Sequence, residues 1–376
     1  MPTKYTRGAN GYFSARVWDG TYDVKGHRHY KMIRSKKSSG DLEKKVKAFE
    51  EYTKEHGGTP ILDTNITLSA LAEEWLKVAK AQRENATREM YENSIKKLAP
   101  IGNFRVKDLS FKHLQFLINE NAAHPRACVK LRLTYRQIMK YAEKCHVIRS
   151  GAAEELCDVT MPVYRAVERR ALTQAELEAV RAARFDVRER AFIQLLLGCG
   201  LRRGEAMALK VSDFDFKAGT VSISKAVGFY HGAPELKDTK NRVHRVVPLP
   251  GAVRAAVRDL IAAGVKGPDA YLFPQKEDTK HGSRGDLMTQ GAFKHLWACI
   301  VRKISAQLPE PTDMTAHMCR HNYCTRLCYE IPKISTKKIA ELMGDTEQMV
   351  LKVYSHILDE KEDLDAAIGA LERMLS

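Results

Sequence analysis

The sequence predicts a multidomain, mainly α-helical protein with small β-sheets: an N-terminal small sheet plus a helix, an all-helical middle, and an α+β C-terminal unit. Three observations lead there. The chain has 376 residues, which at roughly 100–200 residues per domain suggests two or three domains. Its apolar residues alternate over residues 12–34 and switch to helical spacing from Thr67 onward. Alternation returns only at Thr220–Ala226 and Val243–Leu249, inside a second helical region. With 44% apolar and 29% charged residues, the composition is that of a folded globular chain.

In the first unit, Tyr12, Ser14, Arg16 and Trp18 face one way and Phe13, Ala15 and Val17 the other, a strand pattern. Asp19-Gly20 and Lys25-Gly26 are turn signals, and His27 to Arg34 reads as a second strand. Ser38-Ser39-Gly40-Asp41 then opens a helix with Leu42, Val46, Phe49 and Tyr52 on its apolar face. Arg16, Arg28, Lys31 and Arg34 spread positive charge over the strands, as a groove-reading sheet or as an ordinary solvated face.

His56-Gly57-Gly58-Thr59-Pro60 is a linker by composition. Helices follow from Leu68, capped by Thr67 or Asn65, then over Thr87–Leu98, Phe111–Asn119 and Arg126–Ala142. The last carries Lys130, Arg132, Arg136 and Lys140 as a basic set. Residues 158–171 hold Pro162, Arg165, Arg169 and Arg170 with few periodic apolar positions. They read as an extended basic linker, lying along a phosphate backbone or serving only as an exposed tether.

The third unit opens with Thr173 and Glu176 as a capping box. An apolar helix over Ala191–Cys199 stops at Gly200. The two alternating segments flank a loop rich in Gly, Lys and Asp and together read as one long hairpin. The remainder reads as helical to Leu375, where Leu364, Ala367, Ile368, Leu371 and Leu375 form an apolar stripe.

Lys and Arg total 62 against 46 Asp and Glu, a net charge of +16. Such an excess points to a polyanion, with DNA or RNA ahead of a membrane surface, a solvated basic surface being the alternative. Residues 1–60 hold a net +6 and are the most basic per unit length. No apolar run of membrane-spanning length occurs, and the N-terminus lacks an apolar signal region, so a cytoplasmic protein is expected. The eight cysteines form no C-x-x-C pair and read as reduced core residues.

Four stretches of the third unit hold residues suited to chemistry. Gly200-Leu201-Arg202-Arg203-Gly204-Glu205 places an arginine at a helix start, where Glu205 either pairs with it or orients it towards a phosphate. In Asp238 to Leu249, Lys240 sits near a hairpin tip, from which a lysine could reach a leaving oxygen. In Thr315-Ala316-His317-Met318-Cys319-Arg320-His321, His317 and Arg320 are three apart on a helix. A metal reading of His317, His321, Cys324 and Cys328 lacks the glutamate of H-E-x-x-H, whose place Met318 takes, so no metal is expected. Leu342-Met343-Gly344-Asp345 precedes Val353-Tyr354-Ser355-His356.

Taken together, these stretches resemble the tyrosine recombinase (phage integrase) family, in the order Arg202, Lys240, His317-Met318-Cys319-Arg320, Gly344-Asp345, Tyr354. The resemblance covers nearly the whole chain and is to the three-domain type of phage and conjugative-element integrases. It implies an arm-type DNA-binding domain over residues 1–58, a helical core-binding domain over 65–160 and an α+β tyrosine-recombinase catalytic domain over 171–376.

By that resemblance the protein is a site-specific recombinase that cleaves and rejoins DNA through a 3′-phosphotyrosyl intermediate, without cofactor or metal. It implies Tyr354 as nucleophile, Arg202 and Arg320 as phosphate ligands, Lys240 as general acid and His317 as proton acceptor or positioning group. Double-stranded DNA, a homotetramer on paired sites, and accessory DNA-bending and directionality proteins are the implied partners, in a bacterial cell and on its nucleoid. One departure stands out: the family usually has His or Trp where this chain has Asp345. An ionised carboxylate cannot donate a hydrogen bond to a phosphate. Either Asp345 bonds protein donors, or a neighbour such as His356 fills the role, or activity is weakened. The last case would make the chain a DNA-binding regulator.

Overall fold

The computed structural model describes residues 4–22, 28–56, 65–163, 170–239 and 243–361. Lys240, Arg169 and the apolar stripe after Asp363 lie outside the described residues, as does the side chain of His356. The chain divides into two compact units, residues 1–165 and 166–376.

The first unit begins with antiparallel strands β1 (Phe13–Tyr22) and β2 (Arg28–Ser35) and helix α1 (Ser39–His56). Ala15 and Val17 point to the helix and meet Leu42 and Val46, which forms a small core of its own. Asp19-Gly20 does not turn the chain: β1 runs on to Tyr22 through an irregularity after Trp18, where Gly20 takes a left-handed φ of 86°. A bulge absorbs the glycine that sequence reading assigns to a turn.

Among the described residues five α-helices follow: α2 (Leu68–Val78), α3 (Asn85–Lys96), α4 (Phe111–Glu120), α5 (Pro125–Lys144) and α6 (Ala152–Leu156). Thr67 caps α2 by accepting from Ala70 N at 3.3 Å. Their apolar faces meet in one core containing Leu68, Trp75, Tyr91, Leu114, Leu131 and Ile138. Trp75 and Tyr91 pack edge-on at 5.0 Å between ring centroids.

The second unit is α+β. Its helices are α7 (Gln174–Ala182), α8 (Val187–Cys199), α9 (Arg203–Ala208), α10 (Gly251–Ala262), α11 (Gln290–Ser305), α12 (Ala316–Cys328), α13 (Thr336–Met343) and α14 (Glu347–Lys361). Its strands are β3 (Phe214–Asp215), β4 (Thr220–Ile223), β5 (Lys225–Tyr230), β6 (Ala233–Asp238) and β7 (Arg245–Pro248). The expected long hairpin is divided in two. β4 pairs with β7 in a three-stranded sheet with β3, whereas β5 and β6 form a separate two-stranded hairpin. Alternation across Thr220–Ala226 registers as one segment in sequence, but the chain leaves the sheet at Ser224.

Helix α8 is buried around most of its circumference, with Phe192, Ile193, Leu195, Leu196 and Cys199 in the core. It ends at Gly200, whose φ is 63° and where a Cβ would lie 2.3 Å from the Tyr323 ring. Only glycine fits that stop. A smaller cluster of Cys324, Cys328, Ile339, Ala340, Met343 and Val350 joins α12, α13 and α14. Among the described residues no helix is long and apolar enough to cross a membrane.

Candidate active site

The end of α8 delivers Arg202 to the N-cap of α9. Glu205, one turn on, accepts from the Arg202 backbone N at 2.9 Å and from Arg202 Nη1 at 2.9 Å. Arg202 Nη2 points the other way, to Gly344 O at 2.9 Å and Asp345 Oδ2 at 2.9 Å. Arg320, one turn into α12, is almost fully buried. It donates to Gly200 O at 2.7 Å, Met343 O at 2.6 Å and Asp345 Oδ2 at 3.1 Å. Two guanidinium groups from distant parts of the sequence thus meet on one carboxylate oxygen.

A third arginine, which sequence reading did not single out, completes the cluster. Arg245 lies on the inward face of β7 with Val247. It donates from Nη1 and Nη2 to the two oxygens of Glu205, at 3.2 and 2.7 Å, and from Nε to Leu342 O at 2.9 Å. The strand alternation over Val243–Leu249 could have placed it on the inner face, where an arginine needs an anion.

Leu342, Met343 and Gly344 therefore offer three successive carbonyls to Arg245, Arg320 and Arg202. These are carbonyls of the α13 C-terminus that lack helical partners, at the negative end of the helix dipole. Gly344 closes the helix with a φ of 61°, and a Cβ there would lie 2.7 Å from Arg245 Nη1.

The charges reinforce one another. Burial raises the Glu205 pKa, but its hydrogen bond to Arg245 and the charges of Arg245 and Arg202 outweigh that and hold it below the usual carboxylate range. Asp345 is likewise raised by burial and lowered further by Arg202 and Arg320, so it stays ionised. Burial, with help from the neighbouring Arg202 charge, pushes Arg320 down to about 10, leaving it protonated near neutral pH.

His317 stands exposed in the first turn of α12, while Arg320, three residues on, points inward. Tyr354 is half-buried on α14 and packs against the small cluster between α12, α13 and α14. Residues on either side of the Lys240 segment are tied together: Thr239 Oγ1 donates to Val243 O at 2.7 Å, and His244 pairs with Asp238 at 2.7 Å.

The expected DNA-contact residues fall into different settings. Cross-strand pairing puts Arg16 opposite Met32, Arg34 opposite Ser14 and Tyr30 opposite Trp18, on the face away from α1. Arg16 lies over Tyr30 at 4.5 Å and Arg28 over Trp18 at 5.0 Å. Lys31 pairs with Val17, so it belongs to the opposite face, where its ammonium lies over Phe49 at 5.6 Å.

Lys130, Arg132, Arg136 and Lys140 are exposed along α5. Arg136 and Lys140 share Glu154, and Arg132 Nε bonds Cys157 O at 3.0 Å. Arg170 is not a free linker charge. Its two terminal nitrogens meet Glu176 at 2.6 and 2.8 Å, and Asp313 accepts at 3.0 Å. The capping-box carboxylate of α7 is buried and requires a cation, and Arg170 supplies it.

A phage integrase family model matches residues 170–361, half of the chain, and a phage integrase N-terminal SAM-like domain model matches residues 67–121. The chain belongs to the phage integrase family, the tyrosine recombinases. A tyrosine recombinase of Pseudothermotoga lettingae is 25% identical over 175 residues, covering 46% of this chain and 51% of its own. The XerC tyrosine recombinase of Brucella melitensis biotype 1 is 25% identical over 328 residues, covering 79% of this chain and 93% of its own. The chain thus spans about half the length of the first relative and nearly all of the second.

Among solved structures, the Tn1549 transposon integrase in complex with transposon right-end DNA superposes with a TM-score of 0.64 at 19% identity, over 83% of this chain and 100% of that one. A lambda integrase tetramer bound to a Holliday junction gives 0.56 at 17% identity, over 92% of this chain and 96% of that one. At these identities the likeness is one of fold.

Proposed function

We propose that the protein is a site-specific DNA recombinase that integrates or excises a mobile element by forming a 3′-phosphotyrosyl intermediate. The observation that supports this most directly is the convergence of Arg202 and Arg320 on one anionic oxygen, Asp345 Oδ2. A phosphodiester gains charge on its non-bridging oxygens as an oxygen attacks phosphorus. Two guanidinium donors aimed at one point stabilise that charge, each worth roughly 10²–10³ in rate.

In the proposed reaction the Tyr354 oxygen attacks phosphorus, its proton passing to His317. The bond from phosphorus to the 5′ oxygen breaks, and Lys240 donates the proton that makes this oxygen a hydroxyl. A 5′-hydroxyl from the partner strand then attacks the phosphotyrosine, and both proton transfers run in reverse. Phosphodiester bonds are exchanged one for one, so no nucleotide need be consumed. Glu205 and Arg245 hold Arg202 without touching the phosphate.

Residues 1–58 serve in this reading as an arm-type DNA-binding domain, 65–160 as the core-binding domain and 171–376 as the catalytic domain. The exposed face with Arg16, Arg28 and Arg34, and the α5 set Lys130, Arg132, Arg136 and Lys140, supply phosphate contacts. Arg169 belongs with them as a linker charge. The DNA complexes and the tetramer among the structural neighbours support a duplex DNA partner and a homotetramer on paired sites. Accessory DNA-bending and directionality proteins, and a place on the bacterial nucleoid, complete the reading. A catalytically weakened regulator is not favoured, since the relatives above are recombinases. Incubation with a duplex nicked beside the crossover tests the reading: an active enzyme becomes covalently trapped, and a chain that leaves no denaturation-resistant adduct is not a recombinase.

A further inference from the structure

The Asp345 carboxylate occupies a ready-made oxyanion seat. Its Oδ2 takes hydrogen bonds from Arg202 Nη2 at 2.9 Å and Arg320 Nη2 at 3.1 Å. The arginines do not depend on it for their placement. Arg202 is also held by Glu205 and Gly344 O, and Arg320 by Gly200 O and Met343 O. Those carbonyl acceptors are uncharged and remain when the carboxylate is gone, so the seat outlasts its occupant. The Asp345 side chain is 25% exposed against 2% for Arg320, so solvent meets the seat at the carboxylate. A phosphodiester oxygen has the same charge and accepts the same hydrogen bonds. The two anions would repel, and both cannot sit between the same two nitrogens.

We propose that Asp345 is an internal competitor for the scissile phosphate: its carboxylate fills the phosphate's seat in the free protein and is displaced when DNA enters. The proposal rests on the reading of Arg202 and Arg320 as the phosphate-binding pair. It assigns the unusual carboxylate a purpose, keeping two converging guanidinium groups neutralised until the correct anion arrives. Asp345 lies in the short connection between α13 and α14. Its displacement therefore acts on the segment that leads to Tyr354.

The test compares the full-length protein with Asp345→Asn and Asp345→Ala, using inorganic phosphate as the probe. Asn keeps the shape but can donate a hydrogen bond, whereas Ala removes the group without adding a donor. Both variants are expected to bind phosphate at least about tenfold more tightly than the wild type, the scale of one charge-assisted hydrogen bond. Both should be less stable than wild type without phosphate and regain stability as it is added, because a ligand stabilises the state that binds it. Phosphate affinity equal to or below wild type in both variants would overturn the proposal. So would a gain confined to Asn, or lost stability that phosphate does not restore. Replacing Arg202 by Gln in the Asp345→Ala background should abolish the gain; a gain that survives lies at another site and also overturns the proposal. Trapping of the wild type on a nicked duplex is scored in parallel. Its failure would contradict the recombinase reading, while the phosphate titration alone judges the competition.

Discussion

Arg245 grips both oxygens of Glu205, at 3.2 and 2.7 Å, with both side chains buried. The same carboxylate holds the backbone and side chain of Arg202, so a strand residue fixes the Arg202 guanidinium through an intermediary. Arg245→Ala would strip Glu205 of its bidentate partner and leave Leu342 O unpaired. Breaking a buried pair on one side costs about 3–5 kcal/mol, and chemical denaturation should show a loss of that size. Arg245→Lys keeps the charge but loses the fork. It should fold, bind DNA with near wild-type affinity and form covalent adduct more slowly. An adduct rate equal to wild type would show that Arg245 has no bearing on Arg202.

A second prediction concerns acid. Glu176 is drawn down to about 2, chiefly by its hydrogen bonds to Arg170, with Thr312 and the Thr173 backbone N–H adding to the effect against burial. Its folded pKa lies below the ordinary value of 4.5, so its contribution is complete above that value and disappears as pH falls towards about 2. Thermal stability should decline across that window, and Glu176→Gln should flatten this part of the profile while lowering stability at neutral pH. An unchanged profile in the Gln variant would place the acid sensitivity elsewhere.

Much of this arrangement is visible in the sequence, because local rules decide it. The Thr173–Glu176 capping box, the glycine stop at Gly200 and the apolar faces of α2 to α5 follow from periodicity and cap chemistry. What escapes is set by contacts between distant segments. Arg245 looks like one more basic residue of a strand until Glu205 is brought to it from 40 positions away. Arg170 looks like a linker charge until Glu176 and Asp313 surround it. The hairpin divides at Ser224 although its alternation continues into β5. Sequence reading flags Asp345 as unusual, but its seat between two arginines needs α9, α12 and the end of α13 together.

The N-terminal sheet yields a prediction that depends on register. Arg16 and Arg34 share the face away from α1, and Lys31 lies on the other. Each phosphate contact adds about 0.9 to the log–log salt slope. Arg16→Ala and Arg34→Ala should each lower the slope for long DNA by about that amount, and Lys31→Ala should leave it nearly unchanged. Deleting residues 1–60, which hold a net +6, should flatten the slope further while cleavage of a short core-site duplex survives. A slope unaffected by the deletion would show that this sheet does not bind DNA.

The role proposed for Lys240 can be separated from binding by changing the leaving group. Lys240→Met should cut an ordinary phosphodiester far more slowly, by about 10²–10⁴ for a lost general acid. A substrate with sulfur at the bridging 5′ position leaves as a thiolate and needs little proton donation. The variant should cleave it at close to the wild-type rate. Equal impairment on both substrates would mean that Lys240 acts on something other than the departing oxygen.

Tyr354 is the residue proposed to make the covalent bond to DNA. Tyr354→Phe removes one hydroxyl from a half-buried ring that rests on the cluster of α12, α13 and α14, so folding and DNA affinity should be retained. On a duplex nicked beside the crossover, the wild type should accumulate a denaturation-resistant adduct through a 3′-phosphate, and the Phe variant none. An adduct of wild-type yield in the Phe variant would contradict the account.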